Sequence, residues 1–174
     1  MKKWLAISSI ITIIIIVFLF LPVKSALIFY DKSTDAIIAY SSVKPEDTFQ
    51  IIFVHSIHLT DVTEKYEITE DNQIKQYEMI FSDFGIGMPS EVKAHEEIYY
   101  EDGFYHIIHM NNVFDSLQLR NGKTVSEHRF VWNDQDGKQQ TVYLNDYMEP
   151  GALFTLKVDT LTLLDLWREV KIHE

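Results

Sequence analysis

Between residue 26 and the C-terminus, turn signals recur so closely that no room is left for a long helix, and this spacing constrains the fold more than any other feature. Lys44-Pro45-Glu46-Asp47, Glu70-Asp71-Asn72-Gln73, Asp102-Gly103, Asn121-Gly122, Asp136-Gly137 and Glu149-Pro150-Gly151 each punctuate the chain. The segments between them alternate apolar and polar residues, as Tyr77, Met79 and Phe81 do. Asp102-Gly103 is a two-residue hairpin signal that pairs Tyr100 with Tyr105, Ile98 with Ile107, Tyr99 with His106 and Glu96 with His109. Further hairpins are expected between 27–30 and 36–40, between 117–120 and 124–130, and between 129–132 and 141–144. A strand over 153–158 should lead into a last strand and a short helix or turn within 160–170. The expected fold is all-β: an antiparallel β-sandwich or open barrel of about ten to twelve strands, preceded by one N-terminal transmembrane helix.

That helix is read from residues 4–21, eighteen residues without a charge, after Met1-Lys2-Lys3 and before Pro22. As a helix the run spans about 27 Å, close to the hydrocarbon thickness of a bilayer. Lys2 and Lys3 favour the cytoplasmic side, which puts the rest outside. The chain then divides into a membrane anchor or signal segment, 1–24, and an extracytoplasmic β-domain, 25–174. The run is longer than a usual signal-peptide core, so an uncleaved single-pass anchor is expected; cleavage after Ser25 would make the domain a secreted one.

All 26 acidic residues lie beyond Lys24, where only 12 of the 15 Lys and Arg are found. Such a surface repels phosphate backbones, so nucleic acid is excluded as a partner. The chain has no cysteine, which rules out disulfides and thiolate chemistry. Stability must come from the core, and 47% hydrophobic residues supply the material.

Chemistry concentrates in Phe53-Val54-His55-Ser56-Ile57-His58-Leu59-Thr60-Asp61-Val62-Thr63-Glu64. On a β period of two, Phe49, Ile51, Phe53, His55, Ile57 and Leu59 share a face, so His55 stands where a buried hydrophobe is expected. A turn at Thr60-Asp61 would pair Phe53 with Ile68, His55 with Tyr66 and Ile57 with Glu64, and bring the His55 imidazole within reach of the Glu64 carboxylate. The loop around Gly85, Gly87 and Pro89 offers backbone amides to a ligand. The expected ligand-binding set is therefore His55, Ser56, Thr60, Glu64, Gly85, Gly87 and Pro89.

Catalytic signatures are missing: there is no Gly-x-Ser-x-Gly elbow, phosphate loop, dinucleotide fingerprint or His-Glu-x-x-His. Ser56 and His55 point to opposite faces of a strand, and His58 reaches Ser56 only through a bend. No catalytic residue is assigned and no cofactor is expected. A divalent metal is the one the side chains could hold, with His55, His58 and Glu64 as candidate ligands and Glu67, His95 and Glu96 of suitable type.

The pattern His55-Ser56, Thr60-x-Val62-x-Glu64 and Phe84-Gly85-x-Gly87-Met88-Pro89, behind an N-terminal apolar segment, resembles the bacterial family known as domain of unknown function 1850. Its members are often encoded beside, or fused to, membrane subunits of TRAP transporters of the TAXI subclass. The resemblance implies a transport accessory or binding module beside a secondary transporter for organic acids, with that membrane subunit as partner. The alternative expectation is a metal-binding protein or metal-dependent enzyme using His55 and Glu64.

Overall fold

Twelve strands form among the described residues, arranged in two antiparallel sheets. The computed structural model describes residues 2–172 except Ile86, Ser90, Ser126, Gln135 and Glu169. A helix α1 (Lys2–Leu19) leads into β1 (Pro22–Asp31), which pairs with β2 (Ile37–Ser42). The chain then crosses to the second sheet and runs β3 (Thr48–Val54), β4 (Asp61–Ile68) and β5 (Ile74–Phe81) as a meander. Strands β6 (Glu97–Glu101), β7 (Phe104–Ile108) and β8 (Asn112–Phe114) extend that sheet beyond β5. After β9 (Leu117–Arg120), β10 (Arg129–Asn133) and β11 (Gln139–Tyr143) form its opposite edge. The last strand, β12 (Leu153–Thr162), returns to the first sheet between β1 and β9 and ends in α2 (Leu163–Arg168).

One core joins the sheets. Leu27 and Phe29 of β1 and Phe154 and Leu156 of β12 pack on Phe49, Ile51, Tyr66 and Phe130 from the other sheet. The separate sheets make the architecture an open sandwich and not a closed barrel. The outer face of β1 is covered too: Ala26 and Ile28 pack with Tyr40 and Leu161, against which Leu166 of α2 leans. This is why residues 26–29 form an uninterrupted buried run where a one-sided strand would alternate. Helix α2 starts where expected because Thr162 and Asp165 cap each other: the Asp165 N–H donates to Thr162 Oγ1 (3.2 Å) and the Thr162 N–H to Asp165 Oδ2 (2.8 Å).

The eight-stranded sheet is wider than its four-stranded partner. Its β5–β7 end carries a second cluster, Val62, Met79, Phe81, Ile107 and Met110, roofed by Met88 from the loop after β5. Turn chemistry explains which hairpins form. Asp102 and Gly103 both have positive φ (50° and 90°), the type I′ geometry, and the expected pairs Tyr100 with Tyr105, Tyr99 with His106 and Ile98 with Ile107 follow. Glu96 and His109 lie outside the ladder; the Glu96 carboxylate instead accepts the Lys93 N–H (2.8 Å).

Two sequence expectations are corrected. Asn121-Gly122 makes no hairpin: β9 pairs with β12, and neither residue has the positive φ that a type I′ turn requires. The apolar run 4–21 is also not one helix. Its end tightens through Phe20 N–H to Val17 (3.2 Å) and Leu21 N–H to Phe18 (3.3 Å), and Pro22 opens β1. The uncharged helical part, 4–19, is roughly 24 Å long, short of the ~30 Å hydrocarbon core. Among the described residues no helix is long and apolar enough to cross a membrane.

Candidate functional site

The strand pattern that carries Phe49, Ile51 and Phe53 inward does bury His55, which is 7% exposed. It does so by a different route from the one the alternation suggests. Strand β3 stops at Val54, opposite Asp61, and residues 55–60 form a loop closed by the His55 N–H to the Thr60 carbonyl (2.8 Å). The imidazole itself ends the strand: Nδ1 accepts the N–H groups of Ile57 (3.3 Å) and His58 (3.2 Å), turning the backbone back over the ring. With Nδ1 an acceptor, the neutral ring carries its hydrogen on Nε2. Leu59 takes positive φ (57°) to close the turn. Ile57 and Leu59, 59% and 64% exposed, belong to the loop and not to the core.

The register is corrected accordingly. Phe53 lies opposite Val62, and Glu64 lies opposite Ile51. Glu64 is therefore four residues back along β3 from His55, about 13 Å at strand rise, and the two do not pair. Its carboxylate accepts the Tyr66 hydroxyl (2.7 Å) on the inner face of the sheet. Burial pushes the Glu64 pKa up, an effect the Tyr66 hydrogen bond only partly opposes, and burial together with the Glu64 charge pushes Tyr66 up as well.

What does gather at this end of the sheet is a histidine corner. The His58 ring stacks on His55 with centroids 4.7 Å apart and planes 30° from parallel. Gly85 lies directly against it: a Cβ there would overlap His58 Nε2. The Thr60 and Ser82 hydroxyls are 2.6 Å apart, which ties the two loops again, and Ser82 also donates to Asp83 of its own loop (2.9 Å). Glycine at 85 thus makes room for an imidazole; it is not there for a turn. Ser56 is exposed on the loop. Gly87 (φ 90°) has open space around it, and Pro89 faces an apolar hollow with Phe84, Val92 and Ile98 on the far side of the loop. His55, His58, Thr60 and Gly85 are brought together, while Glu64, Gly87 and Pro89 are not part of that cluster. Ile86 and Ser90 of the same loop lie outside the described residues.

Two neighbours at this end of the sheet come from far downstream, His128 and Arg129. Because β10 pairs with β3, Arg129 opposite Ile52, His128 continues the ladder beside Phe53 and stacks on its ring (5.4 Å, 15°). His128 Nδ1 accepts the Gly122 N–H (3.3 Å), and the Arg129 guanidinium bridges to Asp61 at the base of the loop. Nothing local in the sequence announces this, since it follows from a strand pairing across most of the domain. Among the described residues no group of three or more His, Cys, Asp or Glu is placed to hold a metal. The geometry separates His55 from Glu64, the pair on which metal coordination was expected to rest.

A two-sheet antiparallel domain with a histidine-bearing loop corner is the class of protein these features define. The model of the family described as "Domain of unknown function (DUF1850)" matches residues 49–138, more than half the chain, and the protein belongs to that family. The match runs from β3 into the β10–β11 turn and so contains the whole histidine corner. No curated protein and no solved structure matches the chain.

Two predictions follow from these contacts. In Gly85→Ala the new methyl displaces the His58 ring from its stack, costing about 1–2 kcal/mol as overpacking. In a His58→Ala background the same substitution should cost under about 0.5 kcal/mol, and urea melts of the four proteins read the coupling. Equal costs in both backgrounds would show that the ring and the glycine do not touch in solution.

Glu64 makes a pH-dependent prediction. Its folded pKa is raised, so the carboxyl contributes stability that is present below the unfolded pKa and lost as pH rises through the folded value. Glu64→Gln should then be more stable than the wild type by about 1 kcal/mol at pH 8, with no advantage at pH 4. A difference that stays constant between the two pH values would refute burial as the cause.

Proposed function

We propose that the protein is an extracytoplasmic accessory or binding module held at the membrane by its N-terminal segment and working beside a TRAP-type organic-acid transporter. The observation that carries this reading is the histidine corner. The 55–60 loop, whose His58 stacks on His55, is joined to the loop after β5 by the Gly85–His58 contact and the Thr60–Ser82 hydroxyl pair. Functional residues commonly sit on loops held by a rigid sheet, and this corner lies within the family-matched region. A TRAP membrane subunit is the partner that the resemblance implies.

The membrane part of the reading is supported by α1. Its Ile10, Ile14 and Phe18 are each more than half exposed. So much exposed apolar surface needs cover, and a bilayer would provide it.

The test is co-purification from native membranes with the full chain as bait. The transporter's membrane subunit should be recovered with the wild type and at least several-fold less with His58→Ala. Recovery of the chain in the soluble fraction with no membrane subunit bound would overturn the proposal.

A further inference from the structure

Strand β6 ends the larger sheet on the side away from β11, and among the described residues it pairs with β7 alone. Every residue of β6 is exposed. The two-residue turn at Asp102-Gly103 makes Glu101 and Phe104 a hydrogen-bonded pair, so Glu97, Tyr99 and Glu101 direct their backbone groups to β7. Ile98 and Tyr100 direct theirs outward. Among the described residues no backbone bond engages that outer side. Such an edge is a template for a further strand, because its N–H and C=O groups stand ready to pair.

The two faces of this edge differ in chemistry. Ile98 and Tyr100 lie on the inner face, beside the cluster around Phe81 and Ile107, to which the four-stranded sheet contributes no residue. Buried Phe81 meets Phe84 (5.1 Å), Phe84 meets Tyr105 (4.6 Å) and Tyr105 meets Tyr100 (4.8 Å), so an aromatic row runs from the core out to the edge. Beside it Phe84, Val92 and Ile98 line an open apolar hollow of about 440 Å³. The outer face is acidic. Glu97 and Glu101 lie opposite Ile108 and Phe104, and neither enters an ion pair among the described residues. Nearby basic groups are committed elsewhere: His106, opposite Tyr99, contacts Glu78 (3.1 Å), and Lys93 is held by Glu96 (3.8 Å) and Asn112.

These charges decide the occupant. A second copy of β6 added antiparallel about Tyr99 would set each Glu97 opposite a Glu101, and like charges directly opposite destabilise a strand pair. A strand with cations at those two positions is attracted instead. We propose that β6 captures an extended basic peptide as an added antiparallel strand, in the sequence pattern basic, apolar, any, apolar, basic. The two basic residues meet Glu101 and Glu97. The two apolar residues lie opposite Tyr100 and Ile98, exchange backbone hydrogen bonds with them and turn their side chains to the hollow. Main-chain bonds supply the affinity in this mode of recognition, and the alternate side chains supply the selectivity. The site is separate from the histidine corner, and its test involves no transporter.

The probe is the labelled peptide Ser-Thr-Lys-Val-Thr-Val-Lys-Thr-Ser, titrated against the full-length chain by fluorescence anisotropy at low ionic strength. Replacing both of its lysines by glutamate should weaken binding at least about tenfold. Combining Glu97→Gln with Glu101→Gln should weaken it by about as much, with thermal unfolding unchanged because both side chains are exposed. N-methylation of the two valines should abolish binding, since their N–H groups face β6. N-methylation of the central threonine, whose N–H points away, should change it by less than about threefold. The proposal is overturned if the peptide gives no saturable signal, if its lysine and glutamate forms bind alike, or if the N-methylvaline form binds like the parent. It is equally overturned if Tyr99→Cys yields a disulfide-linked dimer in place of peptide binding, the product expected of a second copy on this edge.

Discussion

Phe130→Ala is expected to destabilise the protein by about 3–5 kcal/mol and to lower its melting temperature by roughly 10 °C. Phe130 is fully buried on β10 and is where the two sheets meet. Its ring is edge-on to Phe29 of the first sheet (5.4 Å, 88°), against Phe49 of β3 (5.7 Å) and stacked on Trp132 (5.1 Å). Phe29 continues to Phe154 (5.9 Å), and Phe49 to Tyr66 (5.1 Å), so one aromatic chain links β12 to β4 through Phe130. Truncation removes the ring's burial and leaves a cavity that its three aromatic neighbours cannot collapse to fill. The loss is a large share of the 5–15 kcal/mol that holds a typical domain together. Phe104→Ala, at a ring 37% exposed on β7, should cost far less under the same urea titration. Similar losses at the two sites would mean that the sheets do not pack through this chain.

Asn121→Asp should cost about 3–5 kcal/mol, and Asn121→Ala about 2 kcal/mol. Asn121 is fully buried just past β9, and its Nδ2 donates to Asn145 Oδ1 (2.8 Å) and to the carbonyls of Met148 (3.2 Å) and Glu149 (3.3 Å). Its backbone joins the same loop, accepting from Gly151 N–H (2.6 Å) and donating to Ala152 (2.9 Å). One side chain thus ties residues 145–149 to β9. Alanine abandons three acceptors but also removes the Oδ1 atom, which is buried without a partner, so part of the loss is offset. Aspartate has no such relief: it sets oxygen against oxygen three times and buries a charge. Hydrogen exchange should show the Gly151 amide opening in both variants. A loss in the aspartate variant no larger than in alanine would show that the Nδ2 bonds are not made.

Local turn chemistry was the most legible layer. Asp102-Gly103 dictates its hairpin because both residues take the positive φ that the turn needs, and Gly137 (φ 76°) supplies it in the turn between β10 and β11. Asn121-Gly122 has the same composition, yet the Asn side chain is drawn inward by the 144–152 loop, a competitor that no local rule can see. The central loop misled for a related reason. Ile57 and Leu59 keep the apolar alternation, so the strand reads through to residue 59, but the His55 ring captures the two amides that a longer ladder would use.

The chain alone determines that this is an antiparallel β-protein of about a dozen strands, that an apolar segment leads it, and that His55 is buried. Each of these rests on near-neighbour physics: strand period, turn dihedrals and the cost of exposing apolar surface. Which groups surround His55 was decided only by tertiary structure. The β3–β4 register placed Glu64 opposite Ile51 and away from His55, the β3–β10 pairing brought His128 alongside Phe53, and the loop after β5 laid Gly85 on His58. Register and long-range pairing depend on the summed burial of whole sheets, where a shift of a few residues leaves every local preference intact and moves every contact.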